Sequence, residues 1–180
     1  MTTRLYSYHS PLGPITLASD GMFLTGLWFD GQKYFGATAG PSPVRDDGSL
    51  PVFAETVRWL DLYFSGVCPD FLPPLSIEAL PGSAFRRSVW KILLTIPYGQ
   101  TVTYGEIAAR LAAQRTSASV HSVPGGSLAR AVGTAVGHNP VSLVIPCHRV
   151  LGAGGKLTGY AGGLDRKEKL LALESGAYPF

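Results

Sequence analysis

Cys147, His148 and Arg149 stand in consecutive positions directly after Pro146. A thiol is a strong nucleophile only as the thiolate, and a neighbouring base or cation removes its proton or lowers its pKa. The two residues after Cys147 supply one of each kind. The structural reading of the cysteine is a small hydrophobe at the end of a buried strand. Against it stands the setting: an apolar stretch, Val141 to Ile145, delivers the thiol through a proline, and two ionisable residues follow at once. Glu174 is a candidate third member that orients His148, or else a solvated residue late in a helix. Asn139-Pro140 is either a helix stop or a side chain tying the preceding helix to the cysteine turn. Tyr104 is either a core aromatic or a hydroxyl aimed at a ligand. Arg130 sits in a helix of small residues, LARAVGTAV, either as a solvated cation or as the one probe left protruding when that helix closes on a nucleic-acid groove. The four His and two Cys match no zinc spacing, and Gly152-Ala153-Gly154-Gly155 reads as a hairpin turn rather than a nucleotide loop.

The elements that must position these residues follow from pattern. Residues 3–9 and 14–19 read as strands around the turn Ser10-Pro11-Leu12-Gly13-Pro14, and Met22 to Asp30 as a third strand. Gly36 to Leu50 reads as a loop. Pro51 opens a helix whose apolar stripe is Val52, Phe53, Val57, Leu60 and Phe64, ended by Gly66. Leu75, Ile77 and Ala79 alternate as a short strand. A small antiparallel sheet with one helix against it accounts for this half, and nothing in it points to chemistry.

Pro81-Gly82 marks a boundary between a domain over 1–80 and one over 81–180. Ser83 caps a helix with the stripe Phe85, Val89, Ile92, Leu93 and Ile96, stopped by Pro97. Thr103 and Glu106 have capping-box spacing and open a helix carrying Ile107, Ala108 and Leu111. Residues 114–127 read as a loop, Leu128 to Val136 as a helix, Val141 to Ile145 as a buried strand, and Asp165 as the cap of a last helix. Two consecutive helices in this half suggest a helix-turn-helix.

Charge divides at the same place. Residues 1–80 hold four basic and eight acidic side chains, a net of −4; residues 81–180 hold eleven and four, a net of +7. The second half is therefore the candidate polyanion binder. With 46% hydrophobic residues in 180, the chain buries a real core, which excludes intrinsic disorder. Two cysteines make no disulfide framework, the N-terminus carries no secretory pattern and no run is long enough to span a membrane. The expectation is a soluble cytoplasmic protein.

Ile145-Pro146-Cys147-His148-Arg149-Val150 resembles the active-site signature of the O6-alkylguanine-DNA alkyltransferases. Further blocks resemble that family in order: Phe85 to Trp90, Ile96 to Gly99, Thr103 to Ala108, Ala129 to Gly133, Asn139-Pro140, Tyr160 to Gly163, and Lys167 through Glu174. The resemblance implies an α+β protein, with a ribonuclease-H-like α/β domain before a winged-helix-like domain. It implies a monomer that uses no cofactor or metal, binds duplex DNA in the minor groove with little regard to sequence, and flips an O6-alkylguanine into a pocket. Carried over, Cys147 accepts the alkyl group, His148 is its base through a water, Glu174 orients His148, and Asn139 braces the turn. Arg130 fills the gap left by the flipped base, on a helix whose Ala129 and Gly133 approach the DNA. Tyr104, Val150, Tyr160, Ala161 and Lys167 belong to the pocket. Two departures stand out: Ala161 replaces a Ser common in the family, and the stretch Ala113 to Gly126 is long, which suggests a flexible insertion at the DNA-facing turn, either with Arg115 or His121 at phosphates or as an inert surface loop. The competing functions are a thiol hydrolase with a Cys-His-Glu relay and a non-catalytic DNA-binding module. The first makes Arg130 superfluous, and the second makes Cys147 dispensable.

Overall fold

The computed structural model describes residues 2–116 and 125–177. Most of the proposed insertion, including His121, lies outside them.

Strand β1 (Arg4–Ser10) and β2 (Gly13–Ser19) form the hairpin expected from Ser10 to Pro14, in register from Arg4 opposite Ser19 to Ser10 opposite Gly13. Gly13 has φ 106, a backbone that favours glycine. Strand β3 (Leu24–Phe29) pairs antiparallel with β2 and starts two residues later than expected, because Asp20 accepts from the amides of Met22 and Phe23 and holds them in the turn. The expected loop contains a two-residue strand, β4 (Val44–Arg45), parallel to β1, which gives the sheet order β3-β2-β1-β4.

Helix α1 (Pro51–Phe64) buries Val52, Phe53, Trp59, Leu60, Tyr63 and Phe64 in the core, while Val57 stays at its margin. It ends in a Schellman motif: Gly66, at φ 80, donates to the Tyr63 carbonyl and Val67 to that of Leu62. The strand expected through Leu75, Ile77 and Ala79 does not form. Ala79 and Leu80 instead donate back to Ser76 and Ile77 in turns, with Ala79 exposed, so the alternation of apolar residues there is not a pleat.

Helix α2 (Ala84–Leu94) is capped as expected, Ser83 Oγ accepting from the Arg86 amide at 3.2 Å. Helix α3 (Tyr104–Thr116) opens on the expected capping box: Glu106 accepts from the Thr103 amide at 2.6 Å and the Thr103 hydroxyl accepts from the Glu106 amide at 3.2 Å. It runs past residue 114, and α4 (Gly125–Gly137) begins before Leu128, so helix occupies both ends of the expected loop. Helices α2, α3 and α4 pack on one another, with Trp90 Nε1 donating to the Ala135 carbonyl at 3.0 Å. A two-stranded ribbon, β5 (Val102–Thr103) with β6 (Val150–Leu151), completes this half as a helix-turn-helix with a small wing.

Two further expectations fail. Val141 to Ile145 is buried throughout but is not a strand: only Val141 bridges to β3, and the chain then turns through Leu143 at φ 68. Residues buried on every side carry no pleat signature, so an apolar run cannot distinguish turn from strand. Asp165 does not cap α5 (Leu164–Glu174); Gly163 occupies the cap at φ 93, and Asp165 lies in the first turn, where its charge suits the helix dipole.

Candidate active site

The turn that carries Cys147 is built from backbone geometry. Pro146 sits at φ −79, ψ 65, and the Cys147 amide donates to the Ile145 carbonyl at 2.8 Å, an inverse γ-turn that projects the next side chain sharply from the chain. A single 3-10 turn over Cys147–Arg149 follows. In such a turn successive side chains are about 120° apart. Cys147 and Arg149 accordingly take different environments, and Arg149 is no cation partner of the thiol: its guanidinium goes to Glu174 and to the Ile96 carbonyl.

Asn139 does tie the end of α4 to this turn. Its Nδ2 donates to the Ile145 carbonyl at 2.7 Å and to Cys147 Sγ at 3.1 Å, while its Oδ1 accepts from the Val141 amide at 3.0 Å. Cys147 is 3% exposed. Burial pushes its thiol pKa up, and the Asn139 donor and the charge on Lys167 pull it back only in part. The resting group is a neutral thiol that needs a base.

Glu174 is buried, not solvated. Its carboxylate accepts from His148 Nε2 at 2.7 Å, from two guanidinium nitrogens of Arg149 at 2.8 and 2.9 Å, from the Gly99 amide at 3.0 Å and from the Tyr63 hydroxyl at 2.8 Å. Burial alone would raise its pKa, but His148 and Arg149 outweigh that and hold it well below the usual carboxylate range. Burial pushes the His148 pKa down, against the pull of Glu174, so the ring is neutral near pH 7. An ionised carboxylate only accepts, so the ring proton is assigned to Nε2, and Nδ1 keeps the lone pair. Nδ1 is buried without a hydrogen-bond partner among the described residues.

Cys147 lines a cavity of about 230 Å³ together with Tyr104, Gly133, Tyr160 and Ala161, and with Lys33 and Tyr34 from the first half. Val150 and Lys167 lie behind this lining: the Lys167 ammonium is fully buried and donates to the carbonyls of Val150, Thr158 and Gly159, and burial lowers its pKa to about 8. Arg130 is exposed on α4 with Ala129 half-buried beside it, both outside the cavity lining.

The first half contributes contacts that its sequence did not announce. Leu27 donates to the Pro140 carbonyl and accepts from Ser142, each at 2.9 Å, so the segment before Cys147 is fastened to the edge of β3. Gln32 Oε1 accepts from the Phe29 amide at 2.9 Å and from the Ser142 hydroxyl at 3.3 Å. Lys33 donates its amide to the Ala161 carbonyl at 3.1 Å, and the Tyr34 ring stacks on His138 at 4.0 Å. The Tyr63 hydroxyl, which donates to Glu174 from α1, is the one of these contacts with a sequence signal, and a general one: a tyrosine on a buried helix face must find a partner for its hydroxyl.

A buried thiol with a histidine–carboxylate pair behind it, opening on a cavity beside a helix-turn-helix, defines a cysteine-dependent protein of the two-domain α+β class. Residues 4–77 match the family model for the ribonuclease-like domain of 6-O-methylguanine DNA methyltransferase, and residues 84–176 match that for its DNA binding domain. The chain belongs to the 6-O-methylguanine DNA methyltransferase family. It is 47% identical to a methylated-DNA–protein-cysteine methyltransferase of Mycolicibacterium paratuberculosis, over 92% of this chain and 88% of that one. A protein of the same name from Methanosarcina acetivorans is 42% identical, covering 93% and 95%. The crystal structure of Mycobacterium tuberculosis OGT in complex with DNA superposes with a TM-score of 0.80 at 43% identity, covering 99% of this chain and 96% of that one. The domain classes expected from the sequence, ribonuclease-like then DNA-binding, are those the family models match. No helix among the described residues is long and apolar enough to cross a membrane.

Proposed function

We propose that the chain repairs duplex DNA by moving one alkyl group from guanine O6 to Cys147, once per molecule, as a monomer in the cytoplasm. The domain over 81–180 performs the transfer, and the domain over 1–80 supports it. The observation that carries the reading is Asn139 Nδ2 at 3.1 Å from a buried Cys147 sulfur that lines the cavity. That donor stabilises the thiolate in the same place where burial disfavours it.

His148 Nδ1 takes the thiol proton through a water, with Glu174 stabilising the imidazolium that results. The Cys147 thiolate attacks the alkyl carbon in line. A C–S bond forms as the C–O6 bond breaks, the electron pair leaves on guanine O6, and a proton returned to the purine restores guanine. Tyr104, Tyr160 and the backbone around Ala161 bound the flipped base, and Lys167 holds the carbonyls behind them. Ala161 offers no hydroxyl to O6, so polar recognition there falls to backbone amides and to Tyr104 and Tyr160. On the minor-groove side Ala129 and Gly133 allow α4 a close approach, and Arg130 occupies the space of the extruded base, offsetting part of a flipping cost of a few kcal/mol.

Mass spectrometry after mixing with excess O6-methylguanine duplex tests the reading. The expected result is one methyl group per chain on the peptide containing Cys147, and none on Cys147→Ala. Sustained turnover, or transfer to the alanine variant, would refute it.

A further inference from the structure

Tyr63 belongs to α1, in the half of the chain without apparent chemistry, and it is 0% exposed. Its ring stacks on Trp59 at 5.2 Å and stands edge-on to Phe64, Tyr98 and His148. For that packing a phenylalanine would serve. The hydroxyl is the feature that packing leaves unexplained: it donates to Glu174 Oε1 at 2.8 Å and lies 3.3 Å from His148 Nε2. Burial and the charge on Glu174 hold the phenol far above its ordinary pKa, so the proton stays on Tyr63 and the bond has one direction.

Resting on the alkyl-transfer reading above, we infer that Tyr63 is a positioning residue of the reaction: its hydroxyl shares Glu174 Oε1 with His148 and thereby limits how strongly the carboxylate holds a protonated ring. The argument is one of competition for a single oxygen. Oε1 accepts from Tyr63, from His148 and from an Arg149 nitrogen. Each donor withdraws charge from the carboxylate and makes it a weaker partner for an imidazolium. Taking the tyrosine away leaves the other two with a more basic carboxylate, and the proton affinity of His148 rises. A ring that is protonated at rest cannot accept the thiol proton at Nδ1. The other ionisable groups that act on the pair are Arg149, Lys167 and Tyr160, with Tyr98 edge-on to Tyr63 and Cys68 in turn acting on Tyr98.

The test is Tyr63→Phe in the full chain, which keeps the ring and removes only the hydroxyl. Single-turnover methyl transfer from duplex DNA is measured from about pH 5.5 to about pH 9, and His148 is titrated by ring nitrogen NMR. Loss of the hydroxyl should raise the His148 pKa by about one unit, a tenfold change in proton affinity. The acid limb of the rate profile should move up by the same interval, so that the loss is greatest on that limb and closes as pH rises above it. A purely structural tyrosine would change the melting temperature and leave both the His148 titration and the shape of the profile where they were, and that result overturns the inference. If the wild-type protein transfers no methyl group, the functional reading fails by itself, while the NMR titration still decides whether Tyr63 sets the proton affinity of His148.

Discussion

The two halves of this chain meet at Cys147 with opposite kinds of contribution. Residues 81–180 carry net positive charge, the nucleophile, its hydrogen-bond donor and the histidine–carboxylate pair. Residues 1–80 carry net negative charge and, among the described residues, donate no hydrogen bond to the sulfur, yet Leu27, Gln32, Lys33 and Tyr63 fix the pieces between which the sulfur sits. Reactivity and placement are thus assigned to different parts of the molecule. A short run of residues can specify reactive groups, whereas placement of a buried turn requires a second surface to hold it.

Glu174→Gln strikes the point where both contributions converge, and it should have the largest effect. It leaves Arg149 buried without an ionic partner, a change expected to cost about 3–5 kcal/mol. In a chain of this size that is a fall in melting temperature on the order of 10 °C, read by calorimetry. Because the folded pKa of Glu174 is depressed, its contribution is complete above the ordinary carboxylate range and is lost as pH falls below it, so the variant and wild type should converge in stability in acid. Failure to converge would mean that the carboxylate charge is not what the variant removes.

Arg130→Ala separates the DNA-facing part of the second half from the sulfur itself. Transfer from duplex DNA should slow by about tenfold or more, corresponding to roughly 1.4 kcal/mol, while transfer from the free alkylated base should not change. Equal losses on both substrates would remove the role of the arginine in base extrusion. Gln32→Ala should have the smallest effect. It deletes the acceptor for Phe29 and Ser142 and should cost about 1–2 kcal/mol of stability, with a smaller loss in transfer rate at saturating DNA. A rate loss larger than the stability loss would show that the first half takes part in more than placement.

What could be read beforehand divides along similar lines. The Ser10–Pro14 hairpin, the Ser83 cap and the Thr103–Glu106 capping box are satisfied within a few residues of chain, and each is present. The pairing of His148 with Glu174 is one of two readings the residues allow, the other being a solvated helix face, and only the family resemblance chooses between them. Arg149 was assigned to the thiol on adjacency, and the tight turn sends it elsewhere. Asp165 is a good capping residue by type, but the helix starts earlier, with Gly163 in the cap position at positive φ. Tyr63, Gln32 and Lys33 reach partners 111, 110 and 128 positions away, and local pattern does not encode such distances.

The parallel bridge between Leu27 and Val141 carries a consequence for how the chain assembles. Its partners are separated by more than a hundred residues, so the first half must finish its sheet with one edge still open. An unpaired strand edge is a template for the wrong neighbour. During synthesis the Leu27 amide and carbonyl on that edge therefore wait for their partners at Pro140 and Ser142 to emerge, and the same segment that later presents the thiol closes the edge. Completion of the site and protection of the nascent chain from misassociation become one event, late in folding, and chaperone dependence should be concentrated in the interval before it.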